Sequence, residues 1–174
     1  MEELDIDELN EKIKNPTENL NSLKGFGIIS ESLVHIIYDL FGRNMLMNTL
    51  FQTGARAGEM VAIRLKRQHG KKLFKIEEAV PLLLESLKDF YSIKIQKIET
   101  TNNKIRIIIE NYCFLRDPFR NKKHLRYGSA ICRINKGYFE KAFQELTNIK
   151  NVDINFLEND EEKDVCIEEL IFYF

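Results

Sequence analysis

The sequence predicts an α+β domain with helices packed on one face of an antiparallel sheet, in the order ααα–ββ–α–ββ. Three observations predict it. Apolar residues recur at helical spacing from Ser30 to Phe90, and the period drops to two between Tyr91 and Glu110. Helical spacing then returns after residue 128, followed by two more alternating runs that reach Phe174. A chain of 174 residues fits one domain. With 44% hydrophobic and 30% charged residues it has the means to pack a core without disulfides.

Residues 1–24 are polar and acidic, with Leu4, Ile6 and Leu9 as one weak apolar face ending before Pro16. They read as an N-terminal extension to a domain spanning 25–174. Ser30 is placed to cap a first helix carrying Leu33, Val34, Ile37, Leu40 and Phe41, which stops near Gly42. A second helix runs from Asn44 to Gln68, with Leu46, Leu50, Phe51, Ala55, Met60, Val61 and Leu65 on its apolar face and Gly70 beyond its end. Gly54 and Gly58 lie four apart on this helix. Each costs about 1 kcal/mol relative to Ala, so the pair suggests a close backbone approach. A third helix spans Ile76 to Phe90, with Pro81 tolerable only near its first turn.

Tyr91, Ile93 and Ile95, a Thr100–Asn103 turn, and Ile105, Ile107 and Ile109 form an antiparallel hairpin. Residues 114–128 are a polar loop. Ser129 then caps a fourth helix through Ile131, Ile134, Tyr138, Ala142, Phe143 and Leu146. Val152, Ile154 and Phe156, then Val165 to Phe174, supply the last two strands.

Charge excludes some classes. With 26 Lys+Arg against 27 Asp+Glu the net charge is −1, which argues against a dedicated duplex-binding protein and against nucleic acid as a partner. No run approaches the roughly 20 apolar residues of a membrane span, and residues 1–10 are no signal peptide. Three cysteines, odd in number and far apart, make no disulfide framework and point to the cytoplasm. Few Gly and Pro, no Trp, and abundant Ile, Lys and Glu give a thermophile-like style.

There is no Walker A loop, GxGxxG after a strand, HExxH or GxSxG, so catalytic residues are not assigned and no organic cofactor is implied. His35 sits beside an apolar helix face and reads as a packed or half-exposed histidine. Arg116, Arg120, Lys122, Lys123, His124 and Arg126, with Phe119 and Tyr127, form the one strongly basic cluster. It reads as a solvated loop rather than a phosphate or single-strand site. Cys113, Cys132 and Cys166 are either three packed thiols or parts of a zinc site, with an acid from Glu158, Asp160, Glu161 or Glu162 completing the shell.

The runs LFQTGARAGEMVAIRL (Leu50–Leu65) and GSAICRINKGYFEKAF (Gly128–Phe143), with a Cys before the aliphatic–acidic final strand, resemble the vinyl-4-reductase domain over residues 30–174. That family is similar in fold to haem-nitric-oxide sensors and to small TRAPP subunits. The resemblance implies a homodimeric module that binds a hydrocarbon-like or aromatic molecule between helices and sheet, as a sensor or carrier. A chain of this size, with no output domain of its own, would act through an effector protein. The resemblance also offers reduction of a tetrapyrrole or isoprenoid vinyl group, or a dimeric scaffold role. In the aromatic-responsive activators the domain holds zinc through a Cys, a Glu, a second Cys and a final Cys. Cys132 and Cys166 match the outer two. Ungapped counting puts Glu158 at the middle Cys and Asn155 at the Glu, whereas a one-place strand register puts Glu158 at the Glu. Either way the middle Cys is missing, leaving Cys132, Glu158 and Cys166 as the implied ligands. The glycine pair and the aromatic load favour a cavity, lined by Phe51, Gly54, Gly58, Phe90, Ile107, Ile109 and Tyr112.

Overall fold

The computed structural model describes residues 22–116, 130–160 and 162–174. Helix α1 (Ser22–Gln68) contains a break at Gly42, whose φ of 75° leaves the helical region and divides α1 into two helices. Then follow α2 (Ile76–Ser86), β1 (Tyr91–Thr100), β2 (Lys104–Cys113), α3 (Cys132–Thr147), β3 (Asn151–Asp160) and β4 (Val165–Tyr173). The predicted class and element order are those observed, ααα then ββ, α, ββ. The four strands pair antiparallel throughout in the order β1-β2-β4-β3.

Some boundaries differ from those the sequence suggests. Helix α1 already runs from Ser22, so Ser30 lies inside it rather than capping it. Pro81 sits inside α2. The α2 start is fixed instead by the Glu78 carboxylate, which accepts from the Lys75 backbone N–H at 3.0 Å. Ser129, the predicted cap of α3, lies outside the described residues, as do residues 1–21 and the basic cluster beyond Arg116.

The helices form two layers on one sheet face. Helix α3 lies between the sheet and the second half of α1. Toward the sheet it buries Phe139, Phe143 and Leu146 against Ile107, Ile109, Leu170 and Phe172. Phe143 and Phe172 meet edge to face at 5.4 Å, a favoured aromatic geometry. Toward α1, glycines allow backbone contact. A Cβ on Gly54 would stand 1.9 Å from the Ile134 carbonyl oxygen, and one on Gly58 2.2 Å from that of Tyr138. Gly137 reciprocates, its Cβ position lying 2.1 Å from Phe51 O. The predicted close approach is therefore the α1–α3 crossing.

Lys136 and Glu140 tie α3 to the sheet's edge strand. Lys136 Nζ donates to the Ile154 carbonyl at 2.8 Å, and Ile154 N–H donates to Glu140 Oε1 at 3.1 Å. Both outward backbone groups of an edge residue are satisfied this way, which closes that point to strand addition.

Candidate functional site

One end of the covered sheet face is polar. Alternation along β4 turns Cys166, Glu168, Leu170 and Phe172 toward the helices, and Asn111 and Cys113 share that face on β2. Asn111 is opposite Cys166, and Tyr91 is opposite Cys113. Asn135 of α3 reaches into this group and accepts the Tyr91 hydroxyl hydrogen bond at 2.8 Å.

Burial dominates the chemistry. Glu168 is 8% exposed, and burial raises its carboxyl above the usual glutamate range although Asn111 Nδ2 donates to it at 2.8 Å. Burial pushes the Cys166 thiol up to about 12 and raises the Cys113 thiol. These two are protonated, unreactive thiols at neutral pH. The Asn111 and Asn159 side-chain oxygens and the Tyr138 hydroxyl are buried without a hydrogen-bond partner.

Arg116 departs from the solvated-loop expectation. It is 1% exposed, donates from Nη1 to Cys166 Sγ at 3.3 Å and pairs through Nε with Asp164 at 2.8 Å. A resident guanidinium thus stands against one of the two thiols that the resemblance assigns to zinc. Glu158 is also misplaced for that role. A bulge between Phe156 and Glu158 leaves Glu158 opposite Ile167, on the face away from Cys166. Among the described residues, no group of three or more His, Cys, Asp or Glu side chains is arranged to hold a metal ion. Cys132, Glu158 and Cys166 therefore do not fit zinc as a set.

The residues predicted to line a cavity are also dispersed. Gly54 and Gly58 are filled by the α3 backbone, and Ile107 and Ile109 are packed in the core. Phe90 is 55% exposed, and Tyr112, opposite Ser92, lies on the other sheet face from Cys113. Phe51 lines a cleft of about 260 Å³ between α1 and α3, with Gln52, Arg56, Glu59 and Lys141. A second cleft, of about 190 Å³, opens between α3 and β3. Cys132, Arg133, Lys136, Asn155 and Glu168 are its polar lining, and Ile154 and Phe156 its apolar walls. Glu168 was not singled out from the sequence, although its alternation with Cys166 and Leu170 is the signal that places it on the covered face. His35 is exposed and lies 3.7 Å from Glu31.

No protein-family model and no curated protein matches the sequence. Solved structures do. The chain is similar to the phenol-responsive sensory domain of the transcription activator PoxR with phenol, at 14% identity and a TM-score of 0.53, covering 90% of this chain and 76% of that one. It is equally similar to a trafficking protein particle complex subunit 3 from Naegleria fowleri, covalently bound to palmitic acid. That match has 14% identity and a TM-score of 0.53, covering 87% of this chain and 95% of that one. The fold is shared. At this identity the likeness concerns the fold alone, and the vinyl-4-reductase family itself is matched by no model. Among the described residues no helix is long and apolar enough to cross a membrane.

Proposed function

We propose that this chain is a binding module for a small, mainly apolar or aromatic molecule, working as a homodimeric sensor or carrier through an effector protein. The observation that carries the reading is the fold held in common with a phenol-responsive sensory domain and with a subunit bound to palmitic acid. The α3–β3 cleft supports it as the place of binding. Ile154 and Phe156 offer apolar contact, while Cys132 and Glu168 offer polar contact within reach of the core. Burial raises the Glu168 carboxyl, which favours its protonated form, and in that form it would donate a hydrogen bond to a hydroxyl or carbonyl oxygen.

The test is thermal stabilisation of the full chain by phenol, alkylphenols and medium-chain fatty acids, together with native mass spectrometry of the purified protein. A saturable rise in Tm that Phe156→Asp abolishes is the expected result. No shift with any of these compounds, together with no retained ligand mass, would overturn the reading.

A further inference from the structure

We propose that the N-terminal half of α1 is a self-association surface whose occupant is the same helix of a second copy of this chain. This rests on the homodimer part of the reading above and adds the surface that forms it; small-molecule binding is independent of it.

The argument begins with spacing. Phe26, Ile29, Leu33, Ile36 and Leu40 follow one another at alternating steps of three and four, the pattern of a coiled-coil seam. They lie on one continuous helix ahead of the Gly42 break, and they are 49, 71, 55, 55 and 69% exposed. The same helix buries Val34, and Phe26 also meets the Phe114 ring at 6.4 Å. The seam thus touches the domain at its first residue, while Ile29, Leu33, Ile36 and Leu40 stay more than half exposed. An amphipathic helix is expected to place its apolar stripe inward. This one carries a second stripe outward.

Size and charge favour a copy of itself. The seam side chains with neighbouring Phe41 present roughly 600 Å² of apolar surface, at the top of the range for a monomer's largest patch. That is most of the ~800 Å² each partner contributes to a standard stable interface. Between Lys24 and Arg43 the only fixed charges are Glu31 and Asp39, and Gly25, Ser30 and Ser32 flank the seam. A basic or acidic partner would find little to pair with. A second identical seam matches it in length, spacing and polarity, as a two-fold interface requires. The helix from Ser22 to Phe41 is about 30 Å long, enough for that contact.

The test is sedimentation and light scattering of the full chain. Wild type should be a dimer, and Leu33→Glu with Ile36→Glu should weaken it at least about 100-fold, since buried uncompensated charges oppose each other across the seam. Leu40→Gln, a milder exposed change, should weaken it less while the protein melts cooperatively. Met60→Glu, 65% exposed on the other half of α1, should leave the dimer intact. A wild-type dimer indifferent to the seam changes overturns this surface and leaves the homodimer reading standing. A wild-type monomer overturns both, and ligand-induced shifts in Tm then judge small-molecule binding separately.

Discussion

Gly54→Ala tests the architecture most directly. An added Cβ would stand 1.9 Å from Ile134 O, 2.7 Å from its carbonyl carbon and 2.9 Å from its Cα. A carbon needs roughly 3.2 Å or more from an oxygen, so the two helices must separate by about 1 Å or more. All three neighbours are backbone, and no rotamer relieves the clash. Overpacking of this kind costs about 3 kcal/mol or more, and the better helix propensity of Ala returns about 1. A net loss of about 2 kcal/mol lowers Tm by about 4–8 °C for a chain of this size. Gly25→Ala is the internal control. Gly25 lies in the same helix with nothing of its own chain within 4 Å of its Cβ position, so there the propensity gain of about 0.5–1 kcal/mol meets no backbone clash and Tm rises. Thermal denaturation of both variants measures the difference. A Gly54→Ala protein that melts at or above wild type would refute the assignment of these glycines to the helix crossing.

Two further predictions follow from the polar end of the core. Removing the buried guanidinium by Arg116→Ala deletes its hydrogen bonds to Asp164 and Cys166, with an expected loss of about 2–4 kcal/mol in urea denaturation. Arg116→Lys should recover little of it, because an ammonium cannot reproduce the planar two-sided contact; an unchanged midpoint for the Ala variant would discard the latch. The folded state holds the Glu168 proton more tightly than the unfolded chain, so this group's contribution is complete below the ordinary glutamate range and is lost as pH rises through the raised value. The stability of Glu168→Gln relative to wild type should therefore grow with pH from acidic to neutral, and parallel curves would contradict the raised carboxyl.

Much of the fold was legible because its signals are local. Gly42 stops a helix through its own backbone, and the Thr100–Asn103 turn separates two alternating runs. The Gly54–Gly58 spacing announced a close approach, although the cavity expected beside it is occupied by α3. The site was less legible. Counting along β3 turns Glu158 inward with Ile154 and Phe156, but the bulge after Phe156 adds one residue and turns it outward. Arg116 reads as one more cation in a basic stretch. Once buried it donates to Asp164 and Cys166, which the chain delivers from far downstream.

By itself the sequence determined the periodicities, and with them the class, the order of elements and the face each strand presents up to its bulge. Those properties follow from repeats a few residues long, which no distant contact needs to enforce. Only the tertiary structure decided what the three cysteines and the glycines are for. Which carboxylate or cation stands beside Cys166 is set by strand register, one bulge and a buried arginine. Whether a helical glycine opens space or closes it depends on the helix packed against it.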